Sequence, residues 1–388
     1  MIQREISKKA IELFKLFPIL AITGPRQSGK TTLVKNIFQN MDYVSLEDID
    51  QRSIAVEDPR GFLSNYPNGA IIDEIQRVPD LFSYLQTIVD QTNLPGQFVI
   101  SGSQNFLLME SISQSLAGRV ALLKLLPLSQ SELKSAGLLP KLNDKIIYQG
   151  NYPAIYSKDI PSELFYPNYI NTYIERDVRT LKNIGNLELF HRFLKLCAGR
   201  IGQPLNYASL AADTGISLNT AKAWISVLVN SYILFLLPPH YRNFNKRLIK
   251  MPKLYFHDTG LVSYLLGIGS YSQIDSHYLL GNLFENYVIS DILKQYYAQA
   301  KEAPLYFWKD NKQKEIDLLI DKGNHCIPIE IKASKTYNLH AFNNIRYYNK
   351  ISGNTNKSYV INRVEKSQKI SNGEFVSWRA LGELFKEL

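Results

Sequence analysis

The stretch ITGPRQSGKTTLVKNIF, from Ile22 to Phe38, decides the expected fold. Gly24, Gly29, Lys30 and Thr31 match the spacing G-x-x-x-x-G-K-[ST] without a mismatch. The apolar run before the first glycine indicates a buried strand, and the apolar residues after Thr31 recur at helical spacing. A glycine-rich loop between a strand and a helix turns backbone N–H groups inward, and it predicts an anion site at the start of the helix.

The same loop predicts a nucleotide site that uses ATP and Mg²⁺. Lys30 can reach the β and γ phosphates, and the Thr31 hydroxyl can ligate Mg²⁺. The residues expected to contact the nucleotide are those of the loop and the first turn of the helix: Gly24, Pro25, Arg26, Gln27, Ser28, Gly29, Lys30, Thr31 and Thr32.

A second buried strand, GAIIDEIQ, ends in two carboxylates, Asp73 and Glu74. A magnesium–nucleotide site needs one carboxylate for the metal and one base to orient an attacking water. We assign the metal role to Asp73 and the role of catalytic base to Glu74. The alternative is a pair of acidic residues exposed to solvent at the end of a strand.

A third strand, QFVISGSQN, has polar residues at its end, and either Ser103 or Gln104 is a candidate sensor of the γ phosphate. Further along, SQSLAGRVALLKLLPLS places Arg119 between a helix and a strand. Arg119 is a candidate arginine finger that acts within its own subunit or on a neighbouring one. A salt bridge is the equally supported alternative for Arg119.

These motifs resemble the AAA-related ATPases of bacteria and archaea that carry a C-terminal domain of unknown function. The resemblance rests on GPRQSGKTT, LED, IIDEIQRVPDL, ISGSQ and SLAGR, and it extends through YIERDV at Tyr173 and KLYFHDTGL at Lys253. It implies an ATPase domain with a central sheet and a nuclease-like C-terminal part. Many AAA ATPases have Asn at the sensor position, whereas this chain offers Ser and Gln.

The composition favours a globular protein with an anionic partner. The 388 residues, 45% of them hydrophobic, predict two or three domains of about 150 residues each. The 44 Lys and Arg outnumber the 35 Asp and Glu, and the net charge of +9 favours nucleic acid as a partner.

The cysteines and the apolar runs bear on the cellular compartment. Cys197 and Cys326 have no His or Cys neighbours at metal spacing, which argues against a zinc site or a disulfide scaffold and fits a reducing cytoplasm. Charged residues interrupt the N-terminal apolar segment, and the run 223–239 contains Asn230 and ends in two prolines. We therefore expect no signal peptide, no membrane span and a cytoplasmic location.

The segment PLNYASLAADTGISLNTAKAWISVLVNSYILFLL predicts a helix-turn-helix followed by a wing. The expected core residues are Leu210, Ala211, Ile216, Ala221, Ile225 and Leu228. The expected outer face of the second helix carries Ser217, Asn219, Thr220, Lys222 and Ser226. Because Lys222 alone gives that face a positive charge, the sequence supports intramolecular packing at least as well as base recognition.

The predicted wing, HYRNFNKRLIKMPK, interleaves basic and aromatic residues, a pattern that suits phosphate contact and base stacking. A solvated hairpin is the alternative. The residues concerned are Tyr241, Arg242, Phe244, Lys246, Arg247, Lys250 and Lys253. Upstream, Arg176 and Arg179 are candidate lid residues that can face the nucleotide, with a solvated helix face as the commoner explanation.

The last part of the chain contains a second set of acidic residues. Asp317 lies on the predicted strand KEIDLLID, and Glu330 and Lys332 share one face of the predicted strand CIPIEIKAS. A turn at 321–324 would bring Asp317 beside Glu330, and Glu285 on a preceding helix can complete the set. Two carboxylates that hold Mg²⁺ beside a lysine that orients water suit phosphodiester hydrolysis. The order of the four residues resembles that of the PD-(D/E)xK nuclease superfamily, in which Lys332 would be catalytic and Glu285, Asp317 and Glu330 metal-binding.

The sequence therefore predicts an α/β protein in four parts: an AAA-like P-loop ATPase domain with a central parallel sheet (1–150), a helical connector or lid (151–187), a winged helix (188–254) and a restriction-endonuclease-like domain (255–388). The expected function is ATP hydrolysis coupled to action on or near DNA, with a homo-oligomer formed through the ATPase domain. The alternative is a nucleotide-gated switch that binds DNA or protein and carries an inactive nuclease-like scaffold. A small-molecule kinase is disfavoured because the Asp73–Glu74 pair supplies a base for water.

Overall fold

The computed structural model describes residues 2–103, 112, 115–174, 186–240, 251–371 and 373–388. The chain divides into two compact units that are interleaved along the sequence. The first unit comprises Met1–Leu128, Asn230–Tyr232 and Tyr296–Lys301, and the second comprises Ser129–Val229, Ile233–Gln295 and Glu302–Leu388.

The first unit is built on a five-stranded sheet in the order β2-β3-β4-β1-β5, in which every neighbouring pair is parallel. Its strands are β1 (Ile19–Thr23), β2 (Asp42–Ser45), β3 (Ala70–Asp73), β4 (Phe98–Gly102) and β5 (Val120–Lys124). Its helices include α1 (Ser7–Phe14), α2 (Lys30–Ile37), α3 (Ile49–Glu57), α4 (Pro59–Ser64) and α5 (Leu81–Thr92). The predicted α/β fold with a parallel central sheet is confirmed.

Strand β1 is buried on both faces because its side chains alternate between two apolar cores. Ile19 and Ala21 pack with residues of β3, β4 and α5, whereas Leu20 and Ile22 pack with α1 and α2. A parallel sheet covered on both faces is expected to have such continuous apolar strands. The carboxyl ends of β1, β3 and β4 share one edge of the sheet, so the residues that follow these strands come together there.

The second unit contains a series of helices and a two-stranded antiparallel sheet. The helices are α6 (Gln130–Ser135), α7 (Asn143–Gln149), α8 (Pro153–Ser157), α9 (Ser162–Tyr169), α10 (Leu187–Ala198), α11 (Tyr207–Thr214), α12 (Leu218–Asn230), α13 (Thr259–Leu265) and α14 (Leu280–Ala298). The two strands are β6 (Leu234–Leu237) and β7 (Lys253–Phe256). Across the residues that the structure describes, no helix is long and apolar enough to cross a membrane.

Helices α11 and α12 are joined by a short turn. The Asn206 side chain accepts a hydrogen bond from the Ser209 N–H over 3.0 Å and caps α11, and Gly215 ends that helix with a φ of 84°, in the left-handed region that glycine favours. Five of the six residues expected in the core are buried, namely Leu210, Ala211, Ala221, Ile225 and Leu228, whereas Ile216 is half-buried. On the expected outer face, Ser217, Asn219, Lys222 and Ser226 are exposed, and Thr220 is half-buried.

The C-terminal part of the second unit is a six-stranded sheet in the order β12-β13-β11-β10-β9-β8. Its strands are β8 (Leu305–Lys309), β9 (Glu315–Asp321), β10 (Cys326–Lys332), β11 (Tyr359–Asn362), β12 (Gln368–Ile370) and β13 (Gly373–Ser377), and its helices include α15 (Asn343–Ser352) and α16 (Leu381–Glu387). Strands β9 and β10 form an antiparallel hairpin in which Asp321 pairs with Cys326 and Leu318 with Ile329. The next residues along the two strands are Asp317 and Glu330.

Several residues singled out in the sequence lie outside the described residues, so the structure has no bearing on them. They are the candidate sensor Gln104, the candidate lid residues Arg176 and Arg179, and the wing residues Tyr241, Arg242, Phe244, Lys246, Arg247 and Lys250.

Candidate functional site

The loop between β1 and α2 takes a path that requires glycine at both ends. Gly24 has a φ of 149°, and a Cβ atom built there would lie 2.0 Å from the Leu125 carbonyl oxygen. Gly29, at the start of α2, has a φ of 93°, which is in the left-handed region. The two glycines of the motif therefore let the loop pass close to the chain that follows β5 and turn into the helix.

The side chains of the loop differ in exposure. Gly24, Pro25 and Ser28 are buried, Arg26 and Gly29 are half-buried, and Gln27 and Thr32 are exposed. The Ser28 hydroxyl is buried and has no hydrogen-bond partner within the described part of the chain. A buried hydroxyl of this kind at the start of a helix is a ready donor for an anion, so this loop fits the phosphate groups of a nucleotide.

Lys30 lies against the loop itself. Its side chain is buried, and Nζ donates hydrogen bonds of 2.9 Å to the carbonyl oxygens of Gly24 and Pro25. The ammonium group therefore lies at the mouth of the loop, where a bound phosphate would compete with these carbonyl oxygens for it.

Asp73, at the end of β3, accepts hydrogen bonds from three hydroxyl groups. Thr31 Oγ1 lies 2.8 Å and the Tyr43 hydroxyl 2.9 Å from Asp73 Oδ2, and Ser101 donates to Oδ1. Burial, reinforced by the charge of Asp73, raises the pKa of Tyr43 above its usual range, so this hydroxyl keeps its proton and remains a donor. A helix hydroxyl beside a strand carboxylate is the donor set that Mg²⁺ takes in P-loop proteins, and these residues fit that ion.

Glu74 follows Asp73 with a φ of 57°, in the left-handed region that non-glycine residues seldom adopt. Its Oε2 accepts hydrogen bonds from Gln76 Nε2 over 2.5 Å and from the Ser103 hydroxyl over 3.1 Å. Ser103, predicted as a sensor, is buried, and its hydroxyl directly contacts the predicted base. The arrangement directs the Glu74 carboxylate toward the end of β4.

Arg4 holds the phosphate loop from outside the motif. Its guanidinium donates hydrogen bonds of 2.7 Å to the carbonyl oxygens of Ser28 and Leu126. The sequence carries no local signal for this contact, because Arg4 lies 24 residues before Ser28 in a segment that matches no motif. Tyr43 was missed for a related reason, since its role depends on the pairing of β2 with β3.

Arg119 lies at the opposite edge of the sheet from the phosphate loop. Its carbonyl oxygen accepts a hydrogen bond from the N–H of Ile19, the first residue of β1, whereas the loop follows the last residue of that strand. The guanidinium forms an ion pair with Asp90, with N···O distances of 2.5 and 2.8 Å. The interpretation of Arg119 as an arginine finger within its own chain is therefore corrected, and the structure agrees with the salt-bridge alternative.

A second cluster lies on the β9–β10 hairpin of the second unit. Lys332 Nζ is 3.0 Å from Asp317 Oδ2 and 2.5 Å from Glu330 Oε2, and the Ile331 N–H donates to Asp317 over 2.8 Å. Both carboxylates are buried, Glu330 completely. The hairpin therefore brings together three of the four residues that the sequence grouped.

The two carboxylates of this hairpin have different proton affinities. Burial, followed by the charge of Asp317, raises the pKa of Glu330 to about 9. Burial also works to raise the pKa of Asp317, but the charges of Lys332 and Lys253 outweigh it and lower that pKa. Oε1 of Glu330 is buried and accepts no hydrogen bond from the described residues. A buried carboxylate oxygen with this unused capacity, next to a second carboxylate, fits a divalent cation.

Glu285, the fourth residue of the group, is engaged by other side chains. Its Oε1 accepts hydrogen bonds from Lys253 Nζ over 3.0 Å and from the Tyr255 hydroxyl over 2.5 Å. Burial raises the pKa of Glu285, and the charge of Asp317 adds to this shift against the opposing effect of Lys253.

Lys253 also corrects one part of the predicted basic wing. It is the first residue of β7, is 2% exposed and lies 2.5 Å from Glu315 Oε1 as well as 3.0 Å from Glu285. A buried lysine between two carboxylates is unavailable to a phosphate in solution. The sequence missed this role because the ion pairs connect strands and a helix that lie far apart along the chain.

Comparison with known proteins divides the chain into three consecutive matches to family models. Residues 16–134 match the model described as "AAA domain", which covers the phosphate loop and Asp73. Residues 141–272 match "Domain of unknown function (DUF8612)", and residues 280–381 match "Domain of unknown function (DUF4143)". The AAA-like P-loop assignment is thereby confirmed.

Relatives extend over most of the chain. "Uncharacterized protein Rv2008c" of Mycobacterium tuberculosis and "Uncharacterized protein Mb2031c" of Mycobacterium bovis are each 31% identical over 324 residues, which cover 82% of this chain and 71% of theirs. An "Uncharacterized protein" of Haemophilus influenzae is 23% identical over 380 residues, covering 89% of this chain and 90% of its own. Among solved structures, "The walker-type atpase paby2304 of pyrococcus abyssi" is 14% identical with a TM-score of 0.41, covering 68% of this chain and 96% of its own. With its phosphate loop, its parallel sheet and this identity to the mycobacterial proteins, the chain belongs to their family, a family of AAA-like P-loop proteins.

Proposed function

We propose that this protein binds ATP together with Mg²⁺ at the phosphate loop and hydrolyses it. The observation that carries the proposal is the 2.8 Å contact between Thr31 and Asp73, directly beside Lys30 and Glu74. Mg²⁺, when bound, would neutralise charge on the phosphate oxygens. Thr31 and Asp73 would hold it, with the nucleotide phosphates lying against the loop of Gly24 to Thr31.

The remaining steps of hydrolysis fall to three side chains. Lys30 would exchange the carbonyl oxygens of Gly24 and Pro25 for the β and γ phosphates, which brings a cation to the developing charge. Glu74 would accept a proton from the attacking water, or orient that water, while Ser103 and Gln76 hold its carboxylate. This division of roles predicts that loss of Lys30 and loss of Glu74 have different consequences.

An arginine finger from a neighbouring subunit is part of the proposal. Arg119 of one subunit would act on ATP held by another in a homo-oligomer formed through the first unit, after giving up its ion pair with Asp90. The exposure of that ion pair, in which the Arg119 side chain is 32% and the Asp90 side chain 45% accessible, is compatible with such an exchange.

We further propose that the second unit couples this ATPase to nucleic acid, with DNA favoured. The order α11, turn, α12, β6 and β7 supports a winged helix, and the hairpin with Asp317, Glu330 and Lys332 supports a nuclease-like domain. Asp317 and Glu330 would hold Mg²⁺, Lys332 would orient the attacking water, and Glu285 would complete the set. The net charge of +9 supports an anionic partner.

A second candidate function is a nucleotide-gated switch whose nuclease-like domain cuts nothing. It is favoured by Lys332, whose ammonium group contacts both Asp317 and Glu330 where a metal ion would lie, and by the contacts that Glu285 makes with Lys253 and Tyr255. In this case the hairpin is a scaffold and the partner is DNA or protein.

The test is to incubate the full chain with ATP, Mg²⁺ and a panel of single- and double-stranded DNA and RNA, and to score phosphate release and strand cleavage in the same samples. Phosphate release with Mg²⁺-dependent cleavage supports the ATPase-nuclease function. Phosphate release without cleavage of any nucleic acid supports the switch. Absence of phosphate release in all samples contradicts both forms of the ATPase proposal.

A further inference from the structure

A group of three potential metal ligands lies at the turn end of the β9–β10 hairpin, opposite to the end that carries Asp317 and Glu330. Asp321 is the last residue of β9, Cys326 is the first of β10, and the two are cross-strand partners. The imidazole of His240 lies against both of them. One ligand atom from each residue falls within 4.8 Å of the other two.

The two distances from His240 resemble those between the ligand atoms of a tetrahedral metal site. His240 Nε2 lies 3.1 Å from Asp321 Oδ2 and 3.7 Å from Cys326 Sγ. Metal–ligand bonds of about 2.1 Å to nitrogen and oxygen and about 2.3 Å to sulfur, at tetrahedral angles, separate ligand atoms by roughly 3.4 to 3.6 Å. His240 Nε2 is therefore within a few tenths of an ångström of metal-site spacing from each neighbour, and the ligand atoms of Asp321 and Cys326 lie within 4.8 Å of each other.

The backbone holds these three residues in place. The N–H of His240 donates a hydrogen bond of 2.7 Å to the carbonyl oxygen of Phe307 in β8, and Pro239 pairs with the same residue. Asp321 Oδ1 accepts from the Gly323 N–H over 2.8 Å, which leaves Oδ2 on the side of His240. The site is thus assembled from β9, β10 and a segment anchored to β8.

The three side chains suit a metal ion. Imidazole nitrogen, carboxylate oxygen and thiolate sulfur each have a lone pair that a zinc-class cation can accept. Nδ1 of His240 is buried and has no hydrogen-bond partner in the described ranges, so the polar contacts of the ring are those of Nε2. His240 and Cys326 are both 3% exposed, whereas Asp321 is 26% accessible and opens the group to solvent.

We propose that His240, Asp321 and Cys326 form a binding site for a zinc-class divalent cation. Imidazole and thiolate select Zn²⁺ over Mg²⁺ and Ca²⁺, which prefer oxygen ligands. One thiolate and one carboxylate balance the two charges of the ion, so the buried site is neutral overall. A fourth position remains for a further ligand. The ion would link Asp321 and Cys326 of the hairpin to His240, whose backbone is hydrogen-bonded to β8.

This site is independent of the proposed ATPase and nuclease functions. The lack of a His or Cys at metal spacing from Cys326 argued against zinc, but His240 comes from 86 residues earlier in the chain. The hairpin turn and the anchoring of residue 240 beside β8 bring the three ligands together, which spacing along the sequence does not reveal.

The test uses Co²⁺ as a spectroscopic probe for the full chain after treatment with a chelator. The wild-type protein is expected to bind Co²⁺ with a thiolate-to-metal absorption band, and Zn²⁺ but not Mg²⁺ should abolish that band. Cys326→Ser should abolish the band. Cys197→Ser is the matched control, because Cys197 is the other cysteine and is fully buried away from this group, and it should keep the band.

Further variants keep the test decisive. Asp321→Asn, at the most exposed ligand, should weaken Co²⁺ binding even if Cys326→Ser fails to fold, and Asp317→Asn should leave the band unchanged because Asp317 belongs to the other cluster. The proposal is overturned if the wild-type protein shows no thiolate band, or if folded Cys326→Ser and Asp321→Asn bind Co²⁺ as the wild type does. Those results would mean that His240 and Asp321 form a hydrogen-bonded pair only.

Discussion

The hydroxyl of Thr31 donates a hydrogen bond of 2.8 Å to the carboxylate of Asp73, joining the first turn of α2 to the end of β3. The two residues lie 42 positions apart in the chain. They meet because β1 and β3 are parallel and end at the same edge of the sheet. The contact defines where a cation would lie relative to the phosphate loop.

Replacing Thr31 by Val should remove a metal ligand while preserving the shape of the side chain. We expect ATP turnover in Mg²⁺ to fall by on the order of 100-fold, because a lost ligand weakens the charge stabilisation that the ion provides. Thr87→Val is the matched control, since Thr87 is an exposed threonine of α5 outside every predicted site, and it should retain turnover. Phosphate release at saturating ATP measures both. Equal losses in the two variants would contradict the assignment.

Lys30 and Glu74 should fail in different ways. Lys30→Ala removes a cation from the phosphates and should lose ATP binding, whereas Glu74→Gln should bind ATP normally and lose turnover by roughly 10² to 10⁴-fold. Binding of a fluorescent ATP analogue and phosphate release separate the two defects. Wild-type turnover in Glu74→Gln would rule out Glu74 as the base.

Arg4 should act on nucleotide affinity without touching the nucleotide. Arg4→Met keeps the apolar stem and removes the hydrogen bonds to Ser28 and Leu126, each of which contributes about 1.5 to 3 kcal/mol when the donor is charged. We expect weaker ATP binding and a lower melting temperature. Arg4→Lys should rescue part of both effects, because one ammonium can reach one of the two carbonyl oxygens. Unchanged affinity in Arg4→Met would show that the loop keeps its path without this clamp.

The Asp317 carboxylate distinguishes the nuclease from the scaffold. If it holds a cation, Asp317→Asn should abolish Mg²⁺ or Mn²⁺ binding and strand cleavage while ATP turnover persists. If Lys332 forms a structural ion pair, the metal affinity of the variant should not change, and its free energy of unfolding should instead fall by about 1 to 3 kcal/mol. The loss is moderate because Lys332 is partly exposed. Calorimetric titration and thermal unfolding with nucleic acid present decide between them. If the wild-type protein binds neither Mg²⁺ nor Mn²⁺ at millimolar concentration, the result favours a scaffold role for the hairpin.

Nucleic-acid binding should depend on the basic segment that follows His240. If Arg242, Lys246, Arg247 and Lys250 contact phosphates of duplex DNA, log affinity falls with log salt by roughly 0.9 per contact, and neutralising all four should flatten that slope. A control with the same charge change neutralises the exposed lysines Lys8, Lys15, Lys141 and Lys158. Identical slopes for the two quadruple variants would place the binding surface elsewhere or indicate another kind of partner.

Much of the nucleotide site follows from local sequence. The loop from Gly24 to Thr31, its strand and its helix can be predicted because the glycine spacing and the apolar periodicity act within about 20 residues. Asp73 follows from a buried strand that ends in carboxylates. Arg4 and Tyr43 could not be predicted, because their contacts depend on which strands lie side by side and on the path of a segment before the motif.

The C-terminal cluster shows the same division. Asp317, Glu330 and Lys332 meet because a hairpin with a short turn is readable from the alternation of its two strands. Lys253 was misassigned to a basic surface because sequence alone does not reveal that its ammonium group contacts both Glu285 and Glu315. The motif that contains Arg119 suggested a position near ATP. The strand that follows Arg119, however, begins beside the first residue of β1, at the end of the strands opposite to the phosphate loop.

The left-handed backbone conformation at Glu74 affects both the stability of the fold and the proposed catalytic site. A non-glycine residue in this conformation costs about 1 kcal/mol or more, a penalty that glycine does not incur. Glu74→Gly relieves this penalty but loses the hydrogen bonds from Gln76 and Ser103, so we expect a melting temperature near that of the wild type and turnover as low as in Glu74→Gln. The backbone strain at this position therefore accompanies the carboxylate to which we assign the role of base.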